Sequence, residues 1–224
     1  RNYIRLNLPT MIIFPVIRKF YKIPQENMFF CSSQNYGIYF VMITFEPNRS
    51  PKLLFLFFYM KKILLLSDTH SFIDAQILKF VKQADEVWHA GDIGDLAVTD
   101  SLKKLKPLRA VFGNIDGADA RLEFPLDLKF EIEKVSVWMT HIGGYPNRYN
   151  QRIRDEIKLN PPKIFIAGHS HILKVQYDKK LNLLHLNPGA AGNYGFHKVR
   201  TMLRFELDNG EVKNMEIIEL ATRN

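Results

Sequence analysis

Lys61-Lys62-Ile63-Leu64-Leu65-Leu66-Ser67-Asp68-Thr69-His70 decides the fold, because an apolar run of strand length stops abruptly at Ser67, Asp68 and His70. Ile63 to Leu66 are continuous rather than alternating, the pattern of a strand covered on both faces in an α/β sheet. Asp68 and His70 then fall just past its carboxyl end. Ligands of open α/β sheets bind at that edge, so a carboxylate and an imidazole two residues apart there are candidate metal ligands. An Asp-x-His pair by itself is also an ordinary turn with an exposed histidine, and the rest of the chain has to decide between the two.

From Met60 onward strands and helices alternate, as βαβ units require. Ser71 or Asp74 caps a helix that runs to about Gln83, with Ile77, Leu78 and Val81 at helical spacing. Strands are predicted over Glu86 to Ala90 and Leu108 to Phe112, separated by a helix from about Val98 to Leu105 that ends before Pro107. Leu128 to Glu133 and Val135 to Thr140 read as a hairpin. A helix from about Tyr149 to Leu159 follows, closed by Pro161 and Pro162. Lys163 to Ala167 is a further apolar strand, and Leu173 to Tyr177, Leu181 to Leu186, Thr201 to Leu207 and Val212 to Leu220 complete the tail. Asp208-Asn209-Gly210 makes a tight turn between the last two.

Five of these apolar runs end in potential ligands: Asp68 with His70, then Asp92, Asn114, His141, and His169 with His171. Gly91, Gly113 and Gly168 directly precede three of the groups, where the missing Cβ permits a sharp turn and close approach to a bound ion or phosphate. Seven ligands at strand ends can converge on one rim. Carboxylate, amide and imidazole donors without a thiolate suit a pair of divalent transition metals, manganese first, with iron, nickel or zinc as alternatives, better than an all-oxygen calcium or magnesium site. Two such cations about 4 Å apart bind a phosphate oxygen and the attacking water together and neutralise charge in the transition state.

With these blocks in this order, the chain from about Met60 to Leu220 resembles the calcineurin-like metallophosphoesterases, in particular their small bacterial and archaeal phosphodiesterase branch. The resemblance rests on Asp68-Thr69-His70, Gly91-Asp92, Gly113-Asn114, His141 and Gly168-His169-Ser170-His171, with Asn187-Pro188-Gly189 similar to a further segment of that branch. It implies an α/β fold in which a two-sheet β-sandwich is flanked by helices (αββα). It also implies a dinuclear centre in which Asp68, His70 and His171 hold one metal, Asn114, His141 and His169 the other, and Asp92 bridges them. A hydroxide shared by the ions would be the nucleophile, so Asp92 and Asn114 are the expected catalytic residues. Asn114 suits the place because its amide oxygen can coordinate while its NH2 donates to a phosphate oxygen.

The chain departs from many relatives at Ile115, where they carry a histidine thought to protonate the leaving group. Asp116 reads either as an anchor for a ligand or as a turn residue. His89 and His185 lie inside strands and read as packed or hydrogen-bonded. His197, after the glycine-rich run Gly189 to Gly195, is a candidate substrate contact alongside Asn114.

Composition limits the alternatives. A chain of 224 residues with 46% hydrophobic content can build one well-cored domain with an appendage, and its single cysteine, Cys31, excludes an internal disulfide. The formal charge of +8 is uneven: residues 1–59 hold seven Lys/Arg against two Asp/Glu, and the remainder holds 24 against 21. That near balance argues against a nucleic-acid partner and so against a nuclease. Residues 1–59 carry aromatic and apolar clusters and several prolines without a sustained period, and neither cluster is long enough to span a bilayer. They are expected to be translated upstream sequence, Met60 being the native start, with a genuine extension as the alternative; residues 60–224 are then the functional domain. The expectation is a cytoplasmic phosphodiesterase acting on a small soluble phosphoester, with no membrane or nucleic-acid partner. A non-catalytic protein-interaction scaffold of the same fold is the rival, and would be expected to have lost ligands.

Overall fold

The structure, a computed structural model, describes residues 28–33, 38–43, 56–195 and 198–220. Contacts divide the chain into two compact units, Arg1–Met60 and Lys61–Asn224. In the first, β1 (Met28–Ser33), β2 (Ile38–Ile43) and β3 (Leu56–Tyr59) form an antiparallel sheet in that order. Sequence periodicity assigned no fold here, because these aromatic and β-branched runs are too short and unalternating to show a period of two.

The second unit contains two five-stranded sheets. One has β4 (Lys61–Leu66), β5 (Glu86–His89) and β6 (Leu108–Ala110) in parallel, with β14 (Thr201–Asp208) antiparallel to β4 and β15 (Glu211–Glu219) antiparallel to β14. The other places β11 (Ile164–Ile166) between β8 (Val135–Thr140) and β13 (Leu183–Pro188), all parallel, with β7 (Asp127–Ile132) and β12 (Leu173–Asp178) as antiparallel edges. Alternation along the strands assembles four layers. Ile63, Leu65, Val137, Met139, Ile164, Ile166, Leu203 and Phe205 point between the sheets into one buried core. Leu64, Leu66 and Val87 point the opposite way, against α1 (Ala75–Gln83) and α2 (Ala97–Lys103). Trp138, Phe165 and Leu183 cover the other outer face with Ile157 of α4 (Arg154–Leu159). Strand β4 is buried on both faces, as its continuous run predicts, and the expected sandwich flanked by helices is the observed fold.

Of the two expected caps, Asp74 is the one that holds α1, its carboxylate accepting from Ile77 N at 2.9 Å. Three elements differ from expectation. Strand β6 ends at Ala110, so Asn114 lies four residues beyond it rather than at its tip. A short helix, α3 (Ala118–Glu123), follows that loop and was not foreseen, being less than two turns long. Helix α4 is shorter than the predicted Tyr149 to Leu159: Arg148–Tyr149 forms β10, paired with β9 (Gly144–Tyr145). Asn150 breaks the helical start by accepting Arg152 N through its side chain at 2.9 Å while its own N–H donates to Gly143 O at 3.0 Å.

A buried carboxylate ties the three parallel strands together. Glu86 on β5 accepts from Trp88 Nε1 at 2.9 Å, pairs with Lys61 of β4 at 2.8 Å, and bonds Arg109 of β6. Burial alone would raise its pKa, but the hydrogen bonds from Lys61, Trp88 and Arg109 outweigh burial and hold it below the ordinary value. A depressed carboxylate contributes stability above its unfolded pKa and loses it as pH falls through the folded one. Glu86→Gln is therefore expected to destabilise the protein by roughly 2–3 kcal/mol at pH 7, with the gap closing as pH falls below about 4. Urea melts of both proteins at pH 7 and pH 3.5 check this, and an equal gap at the two pH values would exclude the charge as its source.

Candidate metal centre

The carboxyl ends of β4, β5, β8 and β11, and the loop after β6, supply every foreseen ligand. Backbone bonds continue the β4–β5 pairing past the strands: Asp68 N to Gly91 O at 2.9 Å, His70 N to Asp92 O at 3.0 Å, Ser71 N to Ile93 O at 2.8 Å. Gly168 N donates to His141 O at 3.0 Å and joins the β11 loop to the β8 loop in the same way. Such close approach leaves no room for side chains at the glycines. A Cβ on Gly113 would lie 2.1 Å from Asp92 Oδ1, and one on Gly168 would lie 2.3 Å from Ser67 Oγ. Gly91 is required twice over, with φ +92° and His141 Nδ1 only 2.6 Å from where its Cβ would be.

Five ligand residues hold left-handed backbone: Asp68 (φ 54°), His70 (46°), Asp92 (53°), His169 (66°) and His171 (56°). That region is sparsely used by residues with a Cβ and costs on the order of 1–3 kcal/mol each, persisting only where the surroundings over-determine it. The hydrogen bonds just described do so at the β4 and β5 loops.

The side chains form two groups that share one member. Donor atoms of Asp68, His70, Asp92 and His171 lie within 4.8 Å of one another, as do those of Asp92, His141 and His169. Asp92 Oδ2 is 3.7 Å from His70 Nε2, and its Oδ1 is 3.1 Å from His141 Nε2. His171 Nε2 lies 3.2 Å from Asp68 Oδ1 and 3.3 Å from His70 Nε2. Asn114 sits on the exposed loop beside Asp92: the next residue, Ile115, donates its N–H to Asp92 Oδ1 at 3.2 Å.

The electrostatics of this set call for positive charge. Both Asp68 oxygens are buried with no hydrogen-bond partner, a state a carboxylate reaches at low cost only beside a cation. His141 Nδ1 faces the Ala90 carbonyl at 2.8 Å, which can only accept, so the proton sits on Nδ1 and the buried Nε2 points at Asp92. A lone pair facing a carboxylate needs a proton or a metal between them. Burial pushes His141 down, but Asp92 and Asp68 more than offset it and raise its pKa. Burial dominates at His70 and at His169 and lowers both, leaving neutral imidazoles ready to coordinate. Nitrogen and oxygen donors, an orphaned carboxylate and a shared carboxylate together fit a pair of divalent cations.

Residues behind the donors fix their positions. Asp116 is an anchor and not a simple turn residue: it accepts from Gly113 N at 2.7 Å, Gly94 N at 2.7 Å and Ile93 N at 3.2 Å, locking the β6 loop to the β5 loop. His89 is fully buried and packed, as expected of a strand histidine. Its Nδ1 accepts from Gly91 N at 3.2 Å, so Nε2 carries the proton and donates to Thr69 Oγ1 at 2.9 Å, and Thr69 donates onward to Ile93 O at 3.0 Å. Burial keeps His89 neutral, with a pKa of about 4. His185 stays away from the donors, its Nε2 bonded to Gly144 O at 3.0 Å. Asn187 orients the β11 loop through Gly168 O at 2.9 Å and Ser170 Oγ at 3.1 Å. His197 lies outside the described residues. Sequence reading overlooked Tyr194, whose ring stands 4.9 Å from that of His70; it was visible only as one member of a glycine-rich run.

Asp116→Asn replaces one acceptor oxygen with a donor that faces backbone N–H groups. Metal affinity is expected to fall about 10- to 100-fold, with a loss of about 1–3 kcal/mol in stability without metal. Chelator-competition titration and melts with and without metal measure both. Unchanged affinity would show that the loops keep their positions without this anchor.

Residues 60–210 match the calcineurin-like phosphoesterase superfamily domain. A probable metallophosphoesterase of Methanothermobacter thermautotrophicus is 29% identical over 131 residues, 56% of this chain and 74% of that protein. Among solved structures, a novel archaeal phosphodiesterase superposes with a TM-score of 0.56 at 22% identity, covering 71% of this chain and 99% of that one. A Vps29 variant from Entamoeba histolytica gives 0.56 at 18%, also covering 71% and 99%. At those identities the two structures speak to the fold alone. The match of the family model over residues 60–210, which include every strand of the sandwich except β15, establishes that the chain belongs to the calcineurin-like phosphoesterase superfamily.

Proposed function

We propose that this chain is a metal-dependent phosphodiesterase acting on a small soluble substrate in the cytoplasm, with its chemistry confined to residues 60–224. The observation that carries the reading is Asp92, whose two oxygens face His70 on one side and His141 on the other. Asp68, His70 and His171 would hold one divalent cation, Asn114, His141 and His169 the second, and Asp92 both; manganese heads the candidates, with iron, nickel and zinc meeting the same donor set. Two divalent cations, when bound, polarise a phosphoryl oxygen and lower the pKa of an attacking water.

The protein's own residues do the rest. The hydrogen-bonded loops hold the donors in place before substrate arrives, so little reorganisation is left for the reaction itself. Asn114, exposed on its loop, offers an amide N–H to a phosphoryl oxygen, and His197 is the further proposed substrate contact. Ile115 is half-exposed and tied only through its backbone N–H to Asp92, so this position delivers no proton to a departing alkoxide.

The fold shared with Vps29 raises the alternative of a protein-interaction scaffold. The complete donor set, with five ligands in left-handed backbone and a buried carboxylate without a partner, favours catalysis, and the scaffold is the weaker reading.

Without an acid at Ile115, the rate should depend steeply on the leaving group. Aryl phosphodiesters are expected to be cleaved much faster than alkyl ones. Ile115→His is expected to accelerate alkyl esters by about 100-fold or more while changing aryl esters little. The measurement is log(kcat/KM) against leaving-group pKa for both proteins at equal metal content. A shallow slope in the wild-type enzyme would show that another group already donates the proton.

A further inference from the structure

The segment after β13 returns to the site and places an aromatic ring on its rim. Ala191 N donates to Ser67 O at 2.9 Å and Gly192 N to Asp68 O at 3.1 Å, so this backbone lies directly on the β4 loop. The contact is too close for a side chain at Gly192, whose Cβ would meet Thr69 O at 2.2 Å. The return leg is clamped as well: Arg200, buried, donates Nε to Ala191 O at 2.7 Å and a terminal nitrogen to Asp74 at 2.9 Å, and Thr201 N bonds Ala190 O at 3.0 Å. Tyr194 stands on this clamped excursion, its ring tilted 43° at 4.9 Å from His70 and near edge-on at 6.5 Å from His171. Both histidines belong to the group that contains Asp68. The tyrosine nevertheless remains 68% exposed, so most of its ring is open to solvent beside the donors.

The surrounding loops say what chemistry belongs against that ring. Segments 67–72, 91–96, 113–117, 141–145, 168–172 and 189–195 contain no lysine or arginine. Arg121 approaches the Asn114 loop, but its guanidinium lies over Phe112 and donates to the carbonyls of Gly113, Asn114 and Asp116. These loops have no lysine or arginine of their own to meet a second phosphate or a carboxylate on the substrate, and Lys174 of β12 is engaged over the Tyr145 ring at 4.4 Å. The rim offers apolar surface instead: Ile172 directly follows His171 and is 49% exposed.

Resting on the phosphoesterase reading above, we infer that Tyr194 is a specificity-determining residue that stacks an uncharged planar aromatic substituent of the phosphoester while the phosphoryl group sits at the donor cluster. Offset or edge-on packing of such a ring on Tyr194 places it on the His70 and His171 side, away from His141 and His169.

The test is calorimetric binding to the manganese-loaded full chain of two phosphonates that have no leaving group, phenylphosphonate and methylphosphonate. The phenyl compound is expected to bind about threefold to tenfold more tightly. Tyr194→Ala should abolish that preference and leave methylphosphonate affinity in place, and Tyr194→Phe should keep the preference. Equal binding of the two compounds by the wild type, or a preference that survives Tyr194→Ala, would overturn the inference alone. An equal loss for both compounds in Tyr194→Ala would also overturn it, showing that the ring acts by holding His70. If neither phosphonate binds the loaded protein, the phosphoesterase reading falls, and this inference with it.

Discussion

Asp68 is a carboxylate with no solvent and no hydrogen bond, and the arrangement around it is organised to make that tolerable. A bare buried charge is among the most expensive groups a fold can carry. Here His171 stands 3.2 Å from one of its oxygens, and His70 and Asp92 complete a cluster around it. Two carboxylates in one buried pocket call for positive charge, and the proposed divalent cations would supply it. The buried strand β4 delivers Asp68 there, and the left-handed turn after it is enforced by bonds to the β5 loop. Breaking that enforcement would relax the backbone and misplace the donors together.

The positioning machinery is layered behind the donors. Asp116 satisfies three backbone N–H groups from two loops, and the His89–Thr69 relay crosses between the β4 and β5 loops in the opposite direction. Because His89 must accept from Gly91, it works only as the neutral imidazole, which burial secures. These are hydrogen-bonded constraints in a region of low dielectric, where each satisfied bond is stronger and each orphaned group more costly than at the surface.

Much of this was legible in the chain. Ile63 to Leu66 announced a strand covered on both faces, and the recurrence of Asp, Asn and His after apolar runs located the rim before any fold was known. What escaped did so for physical reasons. The helix expected from Tyr149 starts five residues later because Asn150 hydrogen-bonds its own neighbourhood, a local choice that periodicity does not register. Asn114 lies farther from its strand than the apolar run implied, since Val111 and Phe112 continue the apolar pattern past the end of β6 at Ala110. The left-handed backbone at Asp68, His70, Asp92, His169 and His171 has no signature in residue type beyond a mild preference of Asp and His for that region. Tyr194 was hidden because its meaning comes from contacts with residues more than twenty and more than a hundred positions earlier in the chain.

One carboxylate, Asp92, is proposed to serve two metal sites at once. Metal content per chain, measured by elemental analysis after manganese loading and dialysis, addresses it directly, with the wild-type protein and Asp92→Ala treated in parallel. Two ions per wild-type chain and at most one in the variant are expected, because removing the shared ligand would weaken both sites together. Two ions retained by a folded Asp92→Ala protein would contradict it.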